Sequence, residues 1–353
     1  MERLPPDVME RIAGIVDFND LPVLAEALKS LHGWPQIIED EMEDRFEVLL
    51  TFGVHEDVGE DEVLLSAKKL NFGSRHRFWY NWDQKRKHRA RLTNVFIREA
   101  VKAPDNTFST SFCPCEKEKL KERKGLLKLP VTKGLDFPST LKILSTPRAS
   151  QKRVLQIVEK LPRYFEEITL SGLVGQPDLV LGVIEHFRSS CFLSKLEIRS
   201  CDLDSAVLPA LAELLIQEKK VDFHAFCDKT GLHEIEKFKF NNAAVKELIQ
   251  RWRDSDGNCN GRQKKISFWM VTAEWNAVTT SCSYIASAKI RTSMTQCRNF
   301  RIDHASKKSS MDLQGTWDHE GYRGCCVHVT ISIVPCSRKV RFPPFSDIML
   351  WLL

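Results

Sequence analysis

The sequence predicts an α/β chain: a small helical unit at the N-terminus, then an array of alternating strands and helices around a mainly parallel sheet. Three observations predict it. Two short apolar-striped segments open the chain. From about residue 138, short Leu-x-Ile-type strands recur every 27 or 28 residues. Between those strands lie segments with apolar residues at helical spacing, and such alternation implies parallel strands with helices outside them. Three regions follow: a helical unit over 1–50, a charged connecting region over 51–135 and a repeat region over 136–353.

The opening stretch, Leu4 to Trp34, reads as two helices with a tight corner. Pro5 and Pro6 suit a first turn, where a fixed φ and a missing N–H cost nothing. Val8, Ile12 and Ile15 share one face. Phe18 and Asn19 break the run. Asp20 stands where a side-chain oxygen can cap a second helix, with Pro22 in its first turn. Leu21, Leu24, Leu28 and Leu31 form a second apolar stripe, ended by Gly33, Trp34 and Pro35. Two greasy faces this near a chain end have little sequence of their own to bury against, so they dock on the rest of the chain or on another protein.

The opening Leu-Pro, the Val8 to Ile12 spacing and the Asp20-Leu21 start of the second helix resemble the F-box family over roughly the first 45 residues. That resemblance implies a helical bundle that binds the adaptor subunit of cullin-type (SCF-type) ubiquitin ligases, while the rest of the chain selects a target protein. It implies adaptor contacts from Leu4, Pro5, Val8, Ile12, Leu21, Leu24, Leu28 and Leu31. Other subunits of such ligases transfer ubiquitin, so it implies a non-catalytic chain. The other reading of the same residues is a helical cap on a repeat array, buried intramolecularly.

Trp34 to Leu50 continues as an acidic amphipathic helix. Ile37, Ile38, Met42 and Phe46 are its apolar positions, and Glu39, Asp40, Glu41, Glu43 and Asp44 face out. Val54 to Glu62 is a polar, acidic loop. The sign then switches over 63–102, where Lys68, Lys69, Arg75, Arg77, Lys85, Arg86, Lys87, Arg89 and Arg91 surround Phe78, Trp79, Tyr80 and Trp82. Aromatics among cations can stack on bases while the charges hold phosphates. A nucleic-acid role for 75–91 is the weaker reading, because a basic segment beside an acidic one can simply pair with it and no recognised reading motif accompanies the patch. Residues 103–135 read as a linker. Cys113 and Cys115 lack both zinc-knuckle spacing and a second ligand pair.

The clearest repeat unit is Leu193-x-x-Leu196-x-Ile198-x-x-Cys201-x-Leu203, which fits the leucine-rich repeat template. Leu196 and Ile198 point inward, and the small Cys201 can tuck under the turn. Phe165-x-x-Ile168-x-Leu170, Leu141-x-Ile143, Val221-x-Phe223, Phe238-x-Phe240 and Ile266-x-Phe268 read as further strands. Val154–Leu161, Leu179–Phe187, Ala206–Ile216 and Ala243–Trp252 read as the helices. On this register Glu167, Thr169, Lys195, Glu197, Arg199, Asp222 and His224 alternate with core positions and line an open sheet face, a candidate surface for a target protein.

Asp254 to Gly261 has the acidic look of a calcium loop, but Cys259 and Lys265 stand where the glycine and the twelfth-position glutamate belong. A polar turn is expected. Glu247 to Phe268, with Trp252-x-x-Ser255-Asp256-Gly257, is similar to the segment that follows the F-box in a divergent branch of that family. Beyond residue 271 only Phe300–Ile302 and His328–Ile333 read as strands. His319, Cys325, Cys326 and His328 match no standard metal spacing.

The bulk properties fit. The chain has 353 residues, enough for two or three domains, with 42% hydrophobic and 28% charged residues. A net charge of +5 does not by itself call for a polyanionic partner. Eleven cysteines, an odd number scattered in apolar segments, suit reduced thiols and a cytoplasmic or nuclear setting. No leader-like run opens the chain and no stretch is apolar enough for a membrane span. Phosphate loops, zinc-protease signatures and nucleophile elbows are missing. No cofactor, metal or catalytic residue is therefore expected.

Overall fold

The computed structural model describes residues 4–16, 20–44, 46–59, 62–71, 90–110, 113–119, 124–131, 138–190, 192–201, 207–216, 223–227, 242–259, 263–281, 286–291, 295–318 and 326–336. It is a mixed α/β structure. Three helices open it: α1 (Pro6–Ile15), α2 (Leu21–Ala27) and α3 (Trp34–Asp44). Fifteen described strands then join one sheet, in the order β12-β13-β14-β15-β11-β10-β9-β8-β7-β3-β1-β2-β6-β5-β4.

The middle of the sheet is parallel. It runs from β1 (Phe46–Val54) through β3 (Ala90–Glu99), β7 (Thr140–Leu144), β8 (Glu167–Ser171), β9 (Lys195–Arg199) and β10 (Phe223–Cys227) to β11 (Lys264–Val271). Helices α5 (Gln151–Val158), α6 (Pro177–Phe187), α7 (Val207–Ile216) and α8 (Asn242–Asp254) connect the last five of these strands. Their apolar faces meet the sheet: Val154 and Ile157, Val183 and Phe187, Leu211 and Leu215, and Leu248 and Trp252 share one buried core with Leu141, Ile143, Ile168, Leu170, Leu196 and Ile198. Alternate residues along each strand point away from that core, which is why β8 and β9 alternate between buried and half-buried positions.

The rungs of the array are tied by repeated backbone devices. Ser145, Gly172 and Ser200 each follow the end of a strand, and each takes a positive φ (45°, 69° and 49°). Ser145 N–H donates to the Ser171 carbonyl at 2.8 Å, and Gly172 N–H donates to the Arg199 carbonyl at 3.0 Å. A side chain at Gly172 would come within 2.6 Å of Ser145 Oγ, so this hydroxyl would have to turn away, and the positive φ adds strain that glycine avoids. The buried Gln176 donates from Nε2 to the Thr146 carbonyl at 2.7 Å, closing the gap between two such turns. At the other strand ends, Ser194 and Lys195 N–H both donate to the Glu166 carbonyl, and Glu166 N–H donates to Ser139 Oγ at 3.1 Å.

Several expectations need correction. The third helix stops at Asp44, and Phe46 begins a strand instead of continuing the helix. Residues 51–135 are more than a connecting region, and 103–135 more than a linker. They carry β2 (Glu62–Asn71), β3, β4 (Val101–Lys102), β5 (Phe108–Thr110), β6 (Cys113–Lys119) and the short α4 (Lys124–Leu127). Here β4 follows β3 after only Ala100, and the chain of pairings β4-β5-β6-β2-β1-β3 curls the sheet edge over a second small core of Val58, Leu64 and Ala100. Asp20 makes no side-chain cap on α2, which ends at Ala27, so Leu28 and Leu31 lie in the turns beyond it. The fourth repeat strand is Phe223–Cys227, two residues later than Val221-x-Phe223 suggested. Phe238–Phe240, the basic aromatic stretch 72–89 and the cysteine–histidine group at 319–325 lie outside the described residues.

The described residues after 271 form regular elements. Helix α9 (Thr272–Ser281) leads into β12 (Ala286–Arg291), β13 (Thr295–Asp303), β14 (Ser309–Asp318) and β15 (Cys326–Pro335), all antiparallel, with β15 against β11. The fully buried Trp275 of α9 lies over β14 where Gly315 stands, and a Cβ there would sit 2.6 Å from Trp275 Nε1. No helix among the described residues is long and apolar enough to cross a membrane.

Candidate interaction surfaces

Two surfaces carry the residues singled out from sequence. The first is the N-terminal helical unit. Its core is small and separate from the sheet core: Met9, Ala13, Leu21, Trp34 and Ile38 are buried together. Leu4, Ile12, Leu24, Leu28 and Leu31 pack against this cluster but remain half-buried, Val8 is half-buried and Pro5 is exposed. Leu21 is 0% exposed, so of the eight expected adaptor contacts it holds the helices together and cannot touch another protein. Sequence reasoning missed Val23, which is 69% exposed beside Leu24. Its signal was available: it falls between stripe positions, where an apolar residue has no intrahelical reason to be.

The unit is fixed to the sheet by charge. Arg91, at the start of β3, donates from Nη2 to Glu41 Oε1 of α3 at 2.6 Å and from Nε to the Gly14 carbonyl at the end of α1 at 2.8 Å. Gly14 leaves room for this, since a Cβ would meet Arg91 Nη2 at 2.6 Å. Two sequence expectations change here. Glu41, an outward position of the helical pattern, is buried, and so is Arg91, one of the basic residues of 63–102.

The second surface is the sheet face opposite the helices. Register places its side chains in rows across the strands. One row runs Asn94, Thr140, Glu167, Lys195, Lys265, Ser332 and Asp312, with the backbone of His224 between Lys195 and Lys265. The next runs Phe96, Lys142, Thr169, Glu197, Ser267, Thr330 and Gln314, with the backbone of Phe226 between Glu197 and Ser267. Beyond it lie Ser171, Arg199, Trp269 and His328, the last two with ring centroids 5.2 Å apart. Glu167, Thr169, Lys195, Glu197 and Arg199 stand on this face as expected, the first four half-buried and Arg199 exposed. The backbone of His224 pairs between Lys195 and Lys265, and Asp222 lies outside the described residues. Arg199 pairs with Glu197, and Arg301 holds Asp312 at 2.6 Å. Thr140 Oγ1 bonds Asn94 Oδ1 at 2.6 Å, and Lys142 Nζ lies 5.7 Å from the Phe96 ring centre. Sequence reasoning missed Lys142, Lys265, Trp269 and His328, although the same alternation marks them.

The Trp252-x-x-Ser255-Asp256-Gly257 segment turns inward. Ser255 Oγ donates to the Trp252 carbonyl at 2.6 Å and accepts from Gly257 N–H at 3.1 Å. The buried His304 donates from Nε2 to the same Trp252 carbonyl at 3.0 Å, so its Nδ1 accepts from Ser306 N–H at 3.1 Å. Gly257 has φ of 70°, and a Cβ there would sit 2.4 Å from His304 Nδ1. These residues build a polar turn from α8 into β11. Among the described residues no cluster of His, Cys, Asp and Glu has the arrangement of a metal site.

No family model matches this chain. No curated protein matches it either. A solved structure that does match is the sugar N-methyltransferase KedS8 from Streptoalloteichus sp., at 13% identity, over 53% of this chain and 72% of that one, with a TM-score of 0.11. So poor a superposition shows no shared fold and assigns no chemistry to this chain. The match is nonetheless to an enzyme, and on that finding the expectation of a non-catalytic chain is withdrawn.

Proposed function

We propose that the chain recruits a target protein to a cullin-type ubiquitin ligase, with the N-terminal helices bound to the ligase's adaptor subunit and the open sheet face turned to the target. The observation that carries this reading is the separate core of the helical unit. Its five buried residues belong to a different cluster from the sheet core, and Leu4, Leu24, Leu28 and Leu31 around them stay half-buried with Val23 exposed. Apolar residues left partly open on one small unit are what a partner subunit would cover. The resemblance of Leu4-Pro5, Val8, Ile12 and Asp20-Leu21 to the F-box supports the same partner. The mechanism is proximity: a target held near a ubiquitin-loaded enzyme experiences a raised effective concentration. Action in the cytoplasm or nucleus belongs to this proposal.

The test is adaptor capture. Leu4→Asp with Leu24→Asp should abolish binding to the purified adaptor subunit, while Glu197→Gln on the sheet face should leave it unchanged. Equal capture by the double variant and the unmodified chain would overturn the assignment.

A second reading, a repeat scaffold with no ligase role, draws on the Arg91–Glu41 tie, which makes the helices a fixed cap on the array. It predicts no adaptor capture and a sheet array that loses stability when residues 1–44 are removed.

A further inference from the structure

Lys195 and Lys265 stand in one row of the open sheet face, two strands apart, with His224 between them in register. Neither has an ion-pair partner among the described residues. Lys142 lies on the neighbouring row, its ammonium over Phe96 and also without an acid. The acids of the same face are mostly engaged: Glu197 with Arg199, and Asp312 with Arg301. Among the described residues Glu167, the register neighbour of both Thr140 and Lys195, makes no ion pair, and neither does the exposed Asp303 two residues beyond Arg301 at the outer part of the sheet. The described face therefore presents more unpaired cations than anions. The rest of it is uncharged hydroxyls and amides of Asn, Thr, Ser and Gln, with the rings of Phe96, Trp269 and His328.

We propose that this face binds an acidic, extended protein segment laid across the strands, with carboxylates meeting Lys195 and Lys265. The inference rests on the function proposed above and names the class of target. Its spacing follows from sheet geometry. Two strand intervals amount to about 9.6 Å. Three residues of a polyproline II segment rise about 9.3 Å and bring the side chain back to the same face. A carboxylate at every third residue thus reaches both lysines without bending the segment. Lys142 is two strands from Lys195 in the other direction but two residues further along, so it meets the next carboxylate on a diagonal. Complementary charge on half-buried lysines sets register and encounter rate more than bulk affinity, so the binding falls with salt.

The experiment uses the full chain and a fluorescent peptide with Glu at every third position between Ser and Thr. Binding is read by anisotropy, beside a peptide with Gln in place of each Glu. Lys195→Glu and Lys265→Glu should each weaken the Glu peptide about tenfold and together abolish its binding. Lys308→Glu, a lysine off this face, should change nothing. The Gln peptide should bind at least tenfold more weakly. Equal affinity for both peptides, no binding of either, or indifference to both lysine substitutions would overturn the inference. Tighter, Lys195-dependent binding of a uridine-rich RNA oligonucleotide that displaces the peptide would overturn it in favour of nucleic acid. Circular dichroism of the reversed variants, matched to the parent, keeps loss of fold from counting as loss of binding. Adaptor capture on the same samples separates the two proposals: capture without peptide binding sinks only this one, and peptide binding without capture sinks only the ligase reading.

Discussion

Arg91 and Glu41, fifty residues apart, form a buried ion pair, with 2.6 Å between Nη2 and Oε1 and side chains only 2% and 7% exposed. The pair joins the helical unit to the sheet. Arg91 also donates to the carbonyls of Gly14 and Ala90, so three of its donors are used. A carboxylate and a guanidinium lose much hydration on burial, and such a pair stands only when its remaining hydrogen bonds are made.

Removing one member leaves the other charged and dry. Arg91→Met should cost about 3–5 kcal/mol, and Glu41→Leu a similar amount. The double variant should recover most of that loss, because two apolar side chains of similar volume owe nothing to water. Urea unfolding followed by tryptophan fluorescence measures it, with Trp34 in the helical core as a reporter. Hydrogen exchange should show the single variants' loss concentrated in α1 and α3.

Gly257 is a second point where one atom decides. Its φ of 70° and the 2.4 Å gap to His304 Nδ1 leave no space for a methyl group. Gly257→Ala should destabilise the turn by at least ~1–3 kcal/mol. His304→Ala, with the ring gone, should make Gly257→Ala less costly in a double-mutant cycle read from urea midpoints. Simple additivity of the two would contradict the contact.

His186 on α6 gives a pH dependence. Burial lowers its pKa from the ordinary 6.5; the Leu161 carbonyl, accepting from its Nε2 at 3.3 Å, opposes the shift, and Arg163 adds to it. The folded chain therefore takes up this proton at lower pH than the unfolded chain does. Stability from this site is fully present above the unfolded value and is lost as pH falls below it toward the folded value. His186→Gln should flatten the fall in denaturation midpoint on the acid side of pH ~6.5. An NMR titration of His186 that gave a raised pKa would contradict the reading. The ring is half-exposed, so solvent screens the effect and its size is small.

The parallel strands of the sheet's middle were legible in the sequence where one strand face is buried and the other is wet. Leu141-x-Ile143, Ile168-x-Leu170 and Leu196-x-Ile198 alternate because only every second residue meets the helices. The curl formed by β1 to β6 was illegible for the opposite reason. Eight of the nine residues of β1, including both Leu49 and Leu50, are buried, so no alternation marks it as a strand. Its first residue, Phe46, also continues the helical spacing of Ile38 and Met42. Glu41 looked solvated because its partner lies fifty residues away, a relation no local pattern carries. On the candidate surfaces, the period gave the positions of Glu167, Thr169, Lys195 and Glu197. It could not separate Leu21, which seals the helices, from Leu24, which stays half-open.

That last distinction supplies the most direct measurement of the central claim, which is that the N-terminal helices keep an apolar surface for another subunit. Adaptor affinity is measured by calorimetry for the unmodified chain, for Val23→Asp with Leu24→Asp, and for Leu21→Ala. The surface variant should keep its circular dichroism and lose less stability than Leu21→Ala does, while losing adaptor binding by a hundredfold or more. Leu21→Ala should lower stability by about 2–5 kcal/mol. A surface variant that binds the adaptor as well as the unmodified chain does, or an unmodified chain that does not bind it, would contradict the account.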